Sequence, residues 1–345
     1  MFKTMKLFRP LLLLTLLALP LSACGADSTP AAGSAAPEQQ AAAESPDSQT
    51  QPEAKTAETA ETEAEASGTR TYTDSADRQV EIPVSPQRIV YVGSEPGDLL
   101  ALGVKPLGAP LSVIGTQVAY PDLLDGIEDI GVPYSLEKIM SLNPDLIVFN
   151  DWDEEQFASL EKIAPTVVTG KSGPTDMLDR VRTLGDIAGR TEEAETWIAG
   201  YEKKVEETKA SLDLPENATA SSLLLLGKTM YIMGNQGFNQ TLYGRLGLKP
   251  AENVQKLIDK GDRFIDVSSE LIPDYVGTEI FVLTNEADTE TMETQNALLK
   301  SSVWKTIPAV EKGRVHILDS KWNFDDPITS ERLLDELAKV INETE

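Results

Sequence analysis

Residues able to do covalent or metal chemistry are few. The 345-residue chain has one cysteine, Cys24, and one histidine, His316. One cysteine excludes a disulfide framework and zinc knuckles, and one histidine excludes the usual histidine-built catalytic metal centres. A nucleophile–base triad could draw only on His316, which lies within the apolar run RVHILD, where a packed strand residue is expected. GKSGP at 170–174 has the wrong spacing for a nucleophile elbow, and GNQGFN at 234–239 lacks the glycines of a dinucleotide fingerprint. Acids are abundant, 56 Asp and Glu against 30 Lys and Arg, so pairs such as Asp325-Asp326 or Asp151 and Asp153 arise by chance. They imply neither a glycosidase pair nor, without EF-hand spacing, a calcium site. A formal charge of −26 also excludes nucleic acid as a partner. The chain is expected not to be an enzyme and to hold no cofactor or metal of its own.

What remains is non-covalent recognition, positioned by an α/β framework. Candidate strands are Arg88–Val92, Asp145–Asn150, Thr166–Thr169, Ser222–Leu226, Thr229–Met233, Glu279–Leu283 and Val315–Leu318. Several are continuously apolar, as strands covered on both faces of a parallel sheet are. An internal repeat divides them. Leu102-Gly103-Val104-Lys105-Pro106 returns as Leu246-Gly247-Leu248-Lys249-Pro250. A Ser-x-Glu follows each, Ser135-Leu136-Glu137 and Ser268-Ser269-Glu270, and then an apolar strand, LIVF and IFVL. Two similar Rossmann-like lobes are expected, over residues 71–190 and 213–345. Between them, over residues 191–212, Ala194, Trp197, Ile198, Tyr201 and Val205 share one helical face. Thr191 is its expected N-cap, with Glu192 and Glu193 at the positive end of the dipole. One rod of roughly 30 Å would thus join the lobes, with the ligand cleft between them.

The segments ahead of the lobes read as an address and a tether. Lys3, Lys6 and Arg9 precede an apolar stretch, Leu11 to Leu21, too short to span a membrane comfortably. It ends Leu21-Ser22-Ala23-Cys24, similar to the bacterial lipobox, in which the cysteine takes acyl chains such as palmitate and begins the mature protein. Residues 1–23 are therefore a lipoprotein signal peptide. Residues 24–70 hold no large aliphatic or aromatic side chain, and nine acids face Lys55 and Arg70. Such a composition favours a disordered acidic tether. The protein is expected to be lipid-anchored on the extracytoplasmic face of the cell membrane, in a Gram-positive cell.

Taken in order, the lipobox, RIVYVGSEPGDLLALGVKPLG, GVPYSLEKIMSLNPDLIVF, the interlobe helix and GRVHILDSKWNFDDPITSERLLDEL resemble one family. It is the iron-siderophore and cobalamin class of substrate-binding lipoproteins of ABC importers (class III, ferric hydroxamate-like), and the resemblance covers essentially residues 71–345. It implies two rigid lobes that close only slightly on a ligand. It further implies a monomer that delivers a pre-chelated ferric siderophore to an ABC permease dimer and its ATPase. Glu137 and Glu270 fall on the family's two permease-docking glutamates. Cobalamin or haem is the alternative cargo, with Tyr91, Tyr120, Tyr134 and Tyr231 available to haem iron. An exported hydrolase or a cell-surface scaffold is the alternative of another class.

Open α/β sheets place ligands beyond the carboxyl ends of their strands. There lie Ser94 and Glu95, Trp152, Asn235 and Phe238, and Trp322 and Phe324, an aromatic and amide set suited to a bulky organic chelate. The family's use of Arg or Lys on anionic chelates points to Lys171, Lys228, Arg245 and Lys321. No dense basic cluster is present, so a weakly charged chelate such as a ferric hydroxamate is favoured over a catecholate.

Overall fold

Thr69–Thr73 (β1) and Gln79–Pro83 (β2) alternate exposed and covered residues and pair antiparallel. They are joined by a turn in which Asp77 takes φ 60°. β1 begins inside the segment expected to be tether, because TRTYT alternates over too few residues to stand out from its polar neighbours. The computed structural model describes residues 68–93, 95–114, 117–151, 153–171 and 176–343, within the unit Ala54–Glu345. Cys24, the signal segment and almost all of the tether lie outside the described residues.

The first lobe runs β3 (Ile89–Val92), α1 (Gly97–Leu100), β4 (Gly108–Ala109), α2 (Leu111–Ile114), β5 (Glu128–Asp129), α3 (Leu136–Ser141), β6 (Leu146–Phe149), α4 (Glu154–Leu160), β7 (Thr166–Val168) and α5 (Met177–Ile187). Its strands form one parallel sheet in the order β5-β4-β3-β6-β7. All residues of β3, β6 and β7 are buried, as their continuous apolar sequence requires.

Helix α6 (Thr191–Ser211) leads to the second lobe. That lobe holds β8 (Thr219–Leu226), β9 (Thr229–Met233), a π-helical turn (Gln240–Arg245), β10 (Lys249–Pro250), α7 (Glu252–Lys260), β11 (Phe264–Asp266), β12 (Glu279–Thr284), α8 (Thr289–Lys300), α9 (Ser302–Lys305), α10 (Pro308–Glu311), β13 (Val315–Asp319) and α11 (Pro327–Asn342). The sheet order is β11-β9-β8-β12-β13, and β10 pairs with β8. β8, β10, β12 and β13 are mutually parallel. β9 is an antiparallel hairpin strand on the remaining edge of β8.

The sequence repeat is a structural one. Gly103 and Gly247 both take positive φ, 69° and 76°, after which the chain enters β4 and β10. β4 pairs in parallel with β3, and β10 with β8, each the first long strand of its sheet. β6 and β12 occupy the other edge in turn. The copies diverge at Ser-x-Glu. Ser135 caps α3 by accepting from the Lys138 amide at 3.3 Å. Ser268 instead opens a turn that ends in the 3-10 segment Ile272–Asp274, whose Pro273 removes a donor.

One continuous core passes between the lobes. It gathers Tyr91 and Val148 from the first sheet, Leu184 from α5, Ile198 and Tyr201 from α6, Phe281 and Leu283 from the second sheet, and Leu333, Leu334 and Leu337 from α11. Helix α6 buries Ala194, Ile198, Tyr201, Val205 and Thr208; Trp197 is half-buried and stacks on Tyr201 with ring centroids 5.1 Å apart. Thr191 is its first helical residue and Arg190 occupies the cap position without a side-chain bond, so the expected threonine cap is displaced by one residue. The linking helix does not act alone: α11 packs against α1 and α5 of the first lobe as well as against α6.

Candidate functional site

The carboxyl ends of β3, β6 and β7 converge on a small polar cavity. Its volume is about 20 Å³, enough for one water, and it is lined by Tyr91, Asp98, Asn150, Thr169, Arg180, Thr183 and Leu184. A chain of hydrogen bonds runs through it. Thr169 donates to Asn150 Oδ1 at 3.1 Å, Asn150 Nδ2 to the Tyr91 hydroxyl at 3.3 Å, and that hydroxyl to Asp98 Oδ2 at 2.8 Å.

Arg180, on α5, carries this network to the second lobe. Its Nη2 donates to Asp98 Oδ1 at 3.3 Å and to the Asp325 carbonyl at 3.0 Å; Nη1 lies 3.6 Å from Asp325 Oδ2, and Nη2 lies 3.9 Å from Glu95 Oε2. Next to Asp325, Asp326 caps α11 by accepting from the Thr329 amide at 3.0 Å, while its Oδ2 is buried without a partner. One guanidinium is thus surrounded by carboxylates from both lobes. Burial and the neighbouring acids hold the Glu95 carboxyl well above its usual range. Burial also raises Asp98, against the pull of Arg180. Asp326 is pushed up by burial to about 7, against its bonds to Thr329. Arg180 remains charged although burial opposes it, because Asp98, Asp325 and Glu95 face it.

Stability should therefore fall as pH rises across this window. An acid at about 7 when folded and near 3.8 when unfolded holds more protons in the folded state between those values. Its favourable contribution is present at the acidic end and lost as Asp326 ionises, a change on the order of 1–3 kcal/mol. Glu95 and Asp98 act in the same direction. Asp326→Asn, which keeps a capping oxygen without the charge, should raise the urea midpoint at pH 8 and flatten the pH 5–8 dependence. A native midpoint that rises over that range would refute the assignment.

The second lobe contributes an apolar concavity of about 250 Å³, lined by Leu224, Leu226, Tyr231, Met233, Gln236, Phe264 and Asn323. Leu226 and Phe264 are each 49% exposed, and Tyr231 meets Phe264 edge-on at 5.3 Å. The segment after β13 joins the two parts: Asn323 lines the concavity and Asp325 meets Arg180.

Several residues expected at the site stand elsewhere. Ser94 and Trp152 lie outside the described residues. Phe238 is fully buried against Phe281, because the turn after β9 folds it into the core. Trp322 is also largely buried, with Lys321 Nζ 5.3 Å from its ring centroid. Phe324 is half-buried against the same core. Lys228 stands exposed on the β8–β9 turn beside Glu290, 3.1 Å away. Arg245 reaches across to Asp176 at 2.7 Å, which commits its charge to an interlobe pair. Glu95 is at the site, Asn235 is exposed beside Gln236, and Lys171 is exposed in the loop after β7. Among the tyrosines considered for haem, Tyr91 and Tyr120 are fully buried and hydrogen-bonded, Tyr120 accepting from the Gly97 amide at 3.1 Å, so neither offers an open phenolate. His316 is buried on β13 between the Val340 carbonyl and Glu279, as a packed strand residue. Sequence reasoning missed Arg180 and Asp98. The available signal was a charge on a buried helical stripe, since Arg180 falls between Met177 and Leu184 on α5.

Two α/β lobes, one linking helix and a site beyond the strand ends are the architecture of a two-lobed binding protein. The description "Periplasmic binding protein" belongs to the family model that matches residues 89–322, and this chain belongs to that family. It is 31% identical over 279 residues to the iron(3+)-hydroxamate-binding protein FhuD of Bacillus subtilis, covering 79% of this chain and 87% of that one. It is 32% identical over 284 residues to the iron(3+)-hydroxamate-binding protein YxeB of the same organism, covering 79% and 85%. A solved FhuD-fold component of a ferrichrome ABC transporter from Bacillus subtilis superposes with a TM-score of 0.68 at 29% identity, covering 79% of this chain and 100% of that one. FhuD2 of Staphylococcus aureus with bound ferrioxamine B gives a TM-score of 0.63 at 26% identity, covering 75% and 99%.

Proposed function

We propose that this chain is the extracytoplasmic receptor of an ABC importer and that its cargo is a ferric hydroxamate, taken up already chelated. The observation that carries this reading is the relationship to two iron(3+)-hydroxamate-binding proteins over 79% of the chain. The site's chemistry agrees with it. An apolar, aromatic concavity suits an organic chelate, and an acid-rich hub opposes a multiply anionic catecholate. Glu95, Gln236, Asn323, Tyr231 and Phe264 are the proposed contacts, with Asn235, Lys171 and Phe324 at the rim.

In this reading residues 1–23 are the signal peptide and lipidated Cys24 anchors an acidic tether to the membrane. The lobes lie on either side of residues 191–212, the receptor works as a monomer, and no resident cofactor takes part. Glu137 and Glu270, one in each lobe, meet the permease dimer. Tryptophan-fluorescence titration of residues 68–345 tests the cargo against ferric hydroxamates, catecholates and citrate, with cobalamin and haem alongside. Saturable submicromolar quenching by a ferric hydroxamate is expected. A response to cobalamin or haem alone would overturn the iron assignment.

A further inference from the structure

The turn after β9, Gly234-Asn235-Gln236-Gly237-Phe238-Asn239, has Phe238 as its only large apolar side chain, yet three of the proposed cargo contacts depend on its shape. Gln236 lines the apolar concavity directly. Its side chain accepts a hydrogen bond from Arg263 Nε, next to Phe264, and the Gly234 amide donates to the Arg263 carbonyl at 2.8 Å. Gly237 takes φ 51°, and a Cβ there would stand 2.2 Å from the carbonyl oxygen of Asn323, another lining residue. One turn thus sets the placing of Gln236, Phe264 and Asn323 around the concavity.

Asn239 holds that turn. Its amide is fully buried, and both of its polar atoms have partners. Nδ2 donates to the carbonyls of Met233 at 3.1 Å and Gly234 at 2.7 Å, and Oδ1 accepts from the Ser222 hydroxyl on β8 at 2.9 Å. A carbonyl can only accept, so this point requires two donors on one side-chain atom. Among uncharged side chains only Asn and Gln carry them, and Gln is longer by a methylene. Buried as it is, the amide cannot touch cargo and acts through the residues it fixes.

We propose that Asn239 is the positioning residue of the cargo site, pinning the turn so that Gln236, Phe264 and Asn323 present one preformed face to a ferric hydroxamate. The inference rests on the ferric-hydroxamate reading and adds the residue that sets the shape of the apolar face. A preformed face lowers the ordering cost of binding, so loosening the turn weakens affinity while every contact residue remains.

Isothermal titration with ferrioxamine B tests the role. Asn239→Asp keeps the shape and replaces both donors by acceptors; it should weaken affinity about tenfold at pH 8. At pH 5 the variant-to-native ratio should recover in part, because a protonated carboxyl regains one donor. Ser222→Ala removes only the bond to Oδ1; it should weaken affinity about threefold, and it carries the test if Asn239→Asp does not fold. Leu298→Ala, in the separate core that α8 shares with the sheet, should lose stability in urea and keep native affinity. Native affinity in the Asn239 and Ser222 variants, a ratio unchanged between pH 8 and pH 5, or an equal loss of affinity in Leu298→Ala would overturn the positioning role while leaving ferric-hydroxamate binding in place. Failure of the native protein to bind this hydroxamate would overturn the cargo reading and the role with it.

Discussion

Cells carrying Glu137→Ala/Glu270→Ala should take up no ferric hydroxamate above background, while the purified double variant binds it as tightly as the native protein. The geometry separates the two properties. Glu137 stands exposed in the first turn of α3, and Glu270 stands exposed in the turn before Ile272–Asp274. Neither lines the polar cavity or the apolar concavity. Among the described residues neither forms an ion pair, so both carboxylates are free to meet a cation on another protein. The Glu270 carboxyl is held below its usual range by its own amide and by Ser268 and Ser269, and so stays ionised. Apolar side chains flank both acids: Val132, Leu136 and Met140 are exposed beside Glu137, and Leu271 beside Glu270. Exposed apolar residues gathered around a charge are what a protein partner covers. Each single variant should retain part of the uptake. Radiolabelled-iron uptake and titration of the same variants check the pair, and a loss of affinity in the double variant would place the glutamates in the wrong role.

Gly97→Ala should cost on the order of 3 kcal/mol or more, a large effect for one methyl group. An alanine Cβ at this position would lie 2.0 Å from Asp326 Oδ1 and 3.0 Å from the Tyr120 hydroxyl. Neither neighbour can retreat cheaply. Asp326 is fixed by capping α11, and Tyr120 is fully buried and accepts from the Gly97 amide. The clash sits where α1 of the first lobe meets α11 of the second, so ligand affinity should weaken together with stability. Adding Asp326→Ala removes the obstacle, and the double variant should lose less than the sum of the two single losses. Urea denaturation of the three variants measures this; a Gly97→Ala loss below about 0.5 kcal/mol would contradict the tight joint.

The lobes were legible in the sequence wherever burial is two-sided or periodic. LIVF and IFVL are strands because both faces are covered, and α6 shows its buried face at Ala194, Ile198, Tyr201 and Val205. The repeat showed through Gly103 and Gly247, whose positive φ restricts the residue type. Two-residue strands such as β4, β5 and β10 carry no period to detect. The site was legible only as a set of loops. Strand-end position located Glu95, but Asp325 and Asp326 were read as a chance acidic pair, and position alone could not say which aromatic residues turn inward, so Phe238 and Trp322 were expected in the cleft and pack the core instead. Tyr231 and Phe264 come together through the antiparallel pairing of β9 and β11, a contact between residues 33 positions apart with no local signature.

The return of α11 onto the first lobe bears on how cargo is counted. Opening the cleft would part Leu333, Leu334 and Leu337 from their shared core and break the bonds of Arg332 to Asp122 and of Arg180 to Asp325. With two helical ties instead of one, the lobes should close only slightly on a ligand, and the spacing of Glu137 and Glu270 should change little. An importer that reads only that spacing receives almost the same message from a vacant receptor as from a filled one. On the proposed docking and cargo roles, vacant copies should compete for the permease in proportion to their number, and iron entry should follow the filled fraction of the receptor pool rather than its total abundance.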